Sequence, residues 1–338
     1  NNVVELNLQA EATNIGTPTV AYDGASNGVI NQITGDVPPN WENSDSSLYG
    51  LVIGTSCTAI GSLAFYYCTG LTGSLVFPGS VTSIGDQAFD NCTGFTGTLT
   101  IPNSVISIGN SSFMGCVGFT GSLVIPNGVT SIGGNAFRTC TGLTGSLTIP
   151  NSVVTIGQAA FNGCTGLTGS LTIPDSIATI ESQTFFGCSN LTGSLTIPDS
   201  VTSIGSNAFQ YCSSITGTLT IGNSVVTIES NAFSGCSGFT GSLTIPAGVT
   251  SIGGFAFNNC SGFTGSLTIS DSITSIDIGA FQNCSSITSV SIQATTAPTI
   301  GSNAFTNMTA VSPAEIHVPV GATGYAAAYN GLTVVYDL

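Results

Sequence analysis

The chain has 338 residues, of which hydrophobic types make up 41% and charged types only 5%. Charge that low, where about 25% is usual, together with so much apolar material argues for an ordered core and against disorder. A single basic residue, Arg138, against 16 Asp and Glu gives a net charge of −15, which repels phosphate backbones and anionic headgroups and makes nucleic acid and acidic membranes poor partners.

The chain opens at Asn1 with no Met and no basic leader, as expected of a mature or excised form. Residues 1–50 lack any internal beat and read as an N-terminal cap. In it Val3-Val4-Glu5-Leu6-Asn7-Leu8 suggests a strand and Pro38-Pro39-Asn40-Trp41 a loop.

From residue 51 a strict period takes over. Cys68, Cys92, Cys116, Cys140, Cys164, Cys188, Cys212, Cys236, Cys260 and Cys284 stand 24 residues apart, and Met308 falls on the next step. Phe keeps the same beat three residues earlier, from Phe65 to Phe305, and Ile from Ile60 to Ile300. Repetition of this kind is the signature of a solenoid, in which one unit buries its apolar face only against its neighbours. In the unit Leu143–Cys164, Leu147-Thr148-Ile149 alternates as a half-buried strand does, and Pro150 stops the ladder for want of an N–H. Val153 to Ile156 suggests a second short extended piece, and the spacing of Ala160, Phe161 and Cys164 suits a turn of helix. Leu143, Leu147, Ile149, Val153, Ile156, Ala160, Phe161 and Cys164 are the expected inward residues. The fold class that follows is a repeat solenoid, a leucine-rich-repeat-like right-handed coil of short parallel strands, with about eleven 24-residue coils over 51–308 and terminal caps.

Residues 309–338 read as a C-terminal cap of strand, short helix and strand: Glu315 to Pro319, the Ala-rich Tyr325 to Tyr329, and Leu332 to Tyr336. Caps close sheet edges that otherwise invite aggregation.

The run Leu195 to Cys212, LTIPDSVTSIGSNAFQYC, resembles the BspA-like, or treponemal-type, leucine-rich repeat, and the tail Ile316 to Tyr329 is similar to endings of such proteins. The resemblance covers 51–308. It implies a secreted or surface-exposed protein that adheres or binds partners through the solenoid surface, without catalysis. One departure stands out. Ile287-Thr288-Ser289-Val290-Ser291-Ile292 follows the general L-x-x-L-x-L spacing, whereas earlier units insert one residue, as in Leu143-Thr144-Gly145-Ser146-Leu147, which should make a bulge before each strand.

Chemistry is sparse. His317 is the only histidine, so any Ser-His-Asp or Cys-His arrangement has to use it. The ladder cysteines come one per coil with no C-x-x-C pair of the kind zinc sites use, and they read as buried thiols packing as small hydrophobes. Cys57, off the ladder, is the candidate for an exposed thiol, with burial under the cap as the alternative. Asp175, Asp199 and Asp271 share a turn position with Asn103, Asn127, Asn151 and Asn223, where either side chain can bond nearby backbone; calcium bridging between coils is the other reading. No cofactor or metal is expected.

The outward strand positions form candidate binding rows: Ser146, Thr148, Ser170, Thr172, Ser194, Thr196, Thr218, Thr220, Ser242 and Thr244. A second row runs through Thr130/Ser131, Thr202/Ser203, Thr250/Ser251 and Thr274/Ser275. High β propensity of Thr explains such rows without any ligand. No cluster of exposed Tyr, Trp or Arg is evident on the repeats. The reading that results is a non-catalytic extracellular or surface-exposed binding solenoid that engages a protein or glycan through its Ser/Thr face. The alternatives are a structural subunit of a surface fibre, filament or virion that associates with itself, and an ice-binding protein.

Overall fold

The computed structural model describes residues 19–22, 29–30, 49–55 and 57–338, with backbone alone for 19–22, 29–30, 49–50 and 52. The strand expected at Val3 to Leu8 and the loop expected at Pro38 to Trp41 lie outside the described residues. The chain divides into two compact units, Asn1–Thr168 and Gly169–Leu338. Each is a parallel β-solenoid.

In the first unit a six-stranded parallel ladder joins Val29–Ile30, Ala59–Ile60, Ser83–Ile84, Ser107–Ile108, Ser131–Ile132 and Thr155–Ile156. The second unit repeats it with Thr179–Ile180, Ser203–Ile204, Thr227–Ile228, Ser251–Ile252, Ser275–Ile276 and Thr299–Ile300. From Ile60 onward, partners in these ladders are 24 residues apart, as in Ile84 against Ile108 and Ile228 against Ile252. Before it the offset differs, since Thr19–Tyr22 pairs with Gly50 to Ile53 and Ile30 with Ile60. Backbone pairing therefore begins ahead of the 24-residue beat.

The eight inward residues of the Leu143–Cys164 unit are all buried, and so are most of their equivalents along both units; Cys68 on the first rung and Ile300 on the last are partly exposed. Phe rings stack face to face along the coils: Phe89 and Phe113 lie 5.5 Å apart at 4°, Phe257 and Phe281 5.3 Å apart at 2°. Such contacts add about 0.5–1.5 kcal/mol each beyond the area they bury. The ladder thiols recur one per coil, and from Cys92 onward they donate to the coil before. Cys92 Sγ reaches Phe65 O at 2.9 Å, Cys140 reaches Phe113 O at 3.0 Å, and Cys284 reaches Phe257 O at 3.1 Å. The same Phe65 carbonyl accepts the Cys68 N–H at 3.1 Å. Cys is thus a small buried side chain whose one weak donor meets the second lone pair of a carbonyl that water cannot reach.

The segment through Ala160 to Cys164 is not a turn of helix. In every coil two residues of this arc take left-handed φ, for example Leu63 at 60° and Tyr67 at 58°, which a helix forbids. The arc is a run of linked turns in which successive N–H groups alternate. Ala64, Tyr66 and Cys68 donate to their own coil three residues back, while Leu63, Phe65 and Tyr67 donate to Asp86, Ala88 and Asp90 of the next coil. Of these six arc amides, three bond within the coil and three between coils.

The inserted Gly behaves as the sequence implies. Gly121 has φ of 78° and splits the strand into Phe119–Thr120 and Leu123–Val124. Where the insertion is missing, Ser289–Ile292 runs unbroken.

The short helix expected at Tyr325 to Tyr329 is not formed. Ala328–Tyr329 is instead a strand, antiparallel to Leu332–Tyr336, joined through Asn330 and Gly331 at φ of 52° and 91°. Five Ala-rich residues are too few to carry the cost of helix nucleation, while Asn-Gly is the favoured turn of a two-residue hairpin. Tyr325 Oη also anchors the segment, donating to Ala294 O at 2.8 Å.

Candidate interaction surface

All ten candidate hydroxyl residues project from the strand face and are exposed. The two rows are held differently. In the row beside the inserted Gly, Ser122 Oγ accepts the Ser146 N–H at 3.2 Å, Ser194 Oγ accepts that of Thr218 at 3.2 Å, and Ser242 Oγ accepts that of Ser266 at 3.1 Å. These hydroxyls replace backbone partners lost where the Gly interrupts the ladder. The hydroxyls of Thr148, Thr172, Thr196, Thr220 and Thr244 have no hydrogen-bond partner among the described residues, so they are available to a ligand. Register aligns them: Thr196 lies beside Thr220, and Thr244 beside Thr268.

In the second row the threonine hydroxyls are engaged with backbone, whereas those of Ser131, Ser251 and Ser275 have no partner among the described residues. Thr130, Thr202, Thr250 and Thr274 donate to the carbonyls of Ile106, Ala178, Val226 and Thr250 at 3.3, 3.2, 3.4 and 2.9 Å.

In the second unit the available threonines open onto an indentation. A notch of about 560 Å³ is lined by Thr196, Thr220, Asp175, Asp199, Gly222 and Asn223 among others. Its origin is visible in the sequence, because residue 222 holds Gly in the turn column that Pro fills at 78, 102, 126, 150, 174, 198 and 246. An added Cβ at Gly222 would lie 2.6 Å from the Pro198 carbonyl oxygen, so the coils approach more closely there than any side chain permits. Asp199 Oδ1 accepts the Asn223 N–H at 2.7 Å, which fulfils the turn chemistry and leaves its other oxygen facing outward.

His317 sits in the strand Glu315–Val318. Its Nδ1 is 2.9 Å from the Asp337 carboxylate and its Nε2 is 3.9 Å from Glu315. Among the described residues the ring meets carboxylates and no hydroxyl or thiol nucleophile. Cys57 is buried, and the partly exposed thiol is Cys68 on the first rung. Burial pushes Cys68 up to about 11 and Cys116, Cys236 and Cys284 up to about 12. Among the described residues no three His, Cys, Asp or Glu side chains converge as a metal site would need, and no helix is long and apolar enough to cross a membrane.

The family model described as BspA type leucine rich repeat region, in six copies, matches residues 42–168, 115–240 and 216–323. The chain belongs to the BspA-type leucine-rich repeat family. Repeat proteins of this type generally bind partners and do not catalyse reactions. A leucine-rich repeat protein from Bacteroides ovatus is 23% identical, with a TM-score of 0.51 over 100% of this chain and 99% of its own. That likeness is one of fold. A leucine rich cell surface protein from Faecalibacterium prausnitzii is 25% identical over 87% of this chain and 93% of its own, with a TM-score of 0.44. The T. pallidum leucine rich repeat protein is 22% identical over 57% and 78%, with a TM-score of 0.40. A search of the curated proteins finds no match.

Two features of this BspA-type surface escape a reading of the repeat consensus. The lining of the notch includes Gly222, which with Ser270 departs from the Pro column. Exposed aromatic residues are also present on the repeats, contrary to the sequence expectation: Tyr66, Tyr67 and Tyr211 are 44%, 51% and 53% exposed. They occupy the turn arc after the Phe, which the sequence spacing assigned to an inward helical turn.

Proposed function

We propose that the chain is an extracellular or surface-exposed, non-catalytic binding solenoid that engages a protein or glycan through its Ser/Thr-lined strand face. The observation that carries this is a set of exposed threonines whose hydroxyls lack intramolecular partners, Thr148 in the first unit and Thr172, Thr196, Thr220 and Thr244 in the second, where Thr196 is in register with Thr220 and Thr244 with Thr268. Hydroxyl and carboxylate groups of the Asp175, Asp199, Thr196 and Thr220 notch supply donors and acceptors suited to sugar hydroxyls or peptide amides. Family membership supports the same reading, since repeat stacks offer an extended surface.

The test is a glycan array together with a panel of purified extracellular proteins, probed with the wild-type chain and with Thr196→Lys/Thr220→Lys. A ligand that the wild type retains and the variant loses is the expected result. Wild type that retains nothing, or a variant that retains everything, overturns the assignment. Light scattering on the same samples separates the fibre-subunit alternative, which requires ordered multimers. Thermal hysteresis is the observation that the ice-binding alternative requires.

A further inference from the structure

The column directly after the ladder Phe varies from rung to rung. It carries Tyr66, Asp90, Met114, Arg138 and Asn162 in the first unit, and Phe186, Gln210, Ser234, Asn258, Gln282 and Thr306 in the second, with Asp90, Gln210 and Ser234 buried. These include the chain's one cation and one of its two Met. Tyr, Phe, Met and Arg are types enriched in protein interfaces, and four of the eleven rungs carry one of them in this column.

The next column is equally informative. Its residues have left-handed φ in all eleven rungs, and eight of them are Gly or Asn, the types that adopt this conformation without strain. Tyr67 and Tyr211 hold φ of 58° and 63° instead. Strain kept at an exposed position, where a common substitution would relieve it, points to use of the side chain. Both rings are supported. Tyr66 and Tyr67 are 4.6 Å apart edge to face, and Tyr211 meets Phe186 at 5.6 Å and 80°. The Tyr211 ring lies across Gly235, where an added Cβ would come within 2.6 Å of its Cδ1.

Charge on the arc names the occupant. Between residues 51 and 308 there are eight acids, and five of them, Asp86, Asp90, Glu181, Glu229 and Asp277, stand on the arc. Asp90 is buried and the other four are exposed, and exposed rings on an arc that also carries exposed carboxylates, in a chain with one Arg and no Lys, complement Lys and Arg.

We infer that the turn arc of each unit is a binding surface, separate from the strand face, that takes Lys- and Arg-bearing segments of a partner protein, with Tyr66 and Tyr67 as platforms for the cations in the first unit and Tyr211 in the second. The arc carboxylates steer such a segment and the rings hold it.

The experiment uses the intact chain and a fluorescent octa-arginine peptide, with octa-glutamate as control, read by anisotropy over a range of salt. The variant Tyr66→Ser/Tyr67→Asn/Tyr211→Asn places residues that other rungs tolerate, and circular dichroism verifies its fold. Each exposed ring contributes a factor of about three, so the triple variant binds about tenfold or more weakly. Tyr67→Phe/Tyr211→Phe keeps the ring faces and stays within about twofold of wild type. Thr196→Val/Thr220→Val, which alters only the strand face, leaves octa-arginine binding unchanged. A triple variant that binds like wild type reduces the effect to net charge and overturns the proposal, as does wild type that ignores octa-arginine or binds octa-glutamate equally. An array ligand lost in the strand-face variant but kept in the tyrosine variant belongs to the strand face alone, so the two surfaces stand or fall separately.

Discussion

The residue before each ladder Phe faces the core and is Ala in nine of eleven rungs; Ser112 and Thr184 are the exceptions. Both are buried, yet their hydroxyls differ in one respect. Thr184 Oγ1 donates to Glu181 O at 2.7 Å, whereas Ser112 Oγ has no partner among the described residues. A buried hydroxyl left without a partner costs about 1–3 kcal/mol, so Ser112→Ala, which restores the residue of the other rungs, stabilises by that amount. The same replacement at Thr184 removes a hydrogen bond worth about 1 kcal/mol and a buried methyl worth about as much. Thr184→Ala therefore destabilises by about 1–2 kcal/mol. Equilibrium urea denaturation followed by circular dichroism reads both, with slopes compared to verify that the same surface unfolds. Midpoints that move in the same direction, or a Ser112→Ala midpoint at or below that of wild type, would refute the hydrogen-bond argument.

Three further outcomes follow from the rungs. Thr139 is β-branched at φ of 58°, so Thr139→Asn relieves strain and raises stability by about 0.5–1 kcal/mol, measured by the same urea titration. Burial raises the ladder thiols above their ordinary value of 9.0, to about 12 at Cys116, Cys236 and Cys284. The unfolded chain therefore releases these protons first: stability is complete below pH 9 and falls as pH climbs toward 12, by about 1.4 kcal/mol per pH unit for each such thiol. A urea midpoint that stays flat between pH 8.5 and about 10.5 contradicts this. Iodoacetamide at pH 8 labels Cys68, the partly exposed rung, ahead of Cys116, Cys236 or Cys284 in the native chain, because only thiolate reacts; mass spectrometry of the peptides shows the order.

The inward surface of this protein is readable from spacing alone. A residue that recurs every 24 positions and is apolar has to lie above its copy, and Phe89 on Phe113 or Cys116 beneath Phe89 O is what that rule yields. The arc after the Phe was not readable as a helical turn, because i, i+3 spacing in Ala160, Phe161 and Cys164 is shared by helices and by linked turns. Its true signal was the column before Cys, where Asn91, Gly115, Gly163, Gly187 and Gly235 mark left-handed φ. The C-terminal helix failed for a related reason: Ala content outweighed the Asn330-Gly331 pair, although tertiary pairing with Leu332–Tyr336 decides so short a segment. The strand-face rows were legible as exposed, but their division into engaged Ser and available Thr depends on the bulge geometry at each inserted Gly. Gly222 in the notch is an exception to the repeat, whereas the core follows its rule.

A surface that repeats every coil cannot by itself select one ligand register. A chain of sugars or peptide units that fits Thr196 and Thr220 fits Thr244 and Thr268 as well, so affinity spreads over equivalent placements. Specificity requires a break in the repeat, and on the strand face of the second unit the break is the Gly222 notch with Asp175 and Asp199. The two regimes predict different length dependence. A ligand held by the threonine row alone gains affinity with each added unit, because contacts and registers both accumulate. One pinned in the notch gains steeply until it fills about 560 Å³ and then levels off. Calorimetry on an oligomer series of whichever array ligand is retained separates them, and affinity that climbs without a plateau would mean that the notch plays no part.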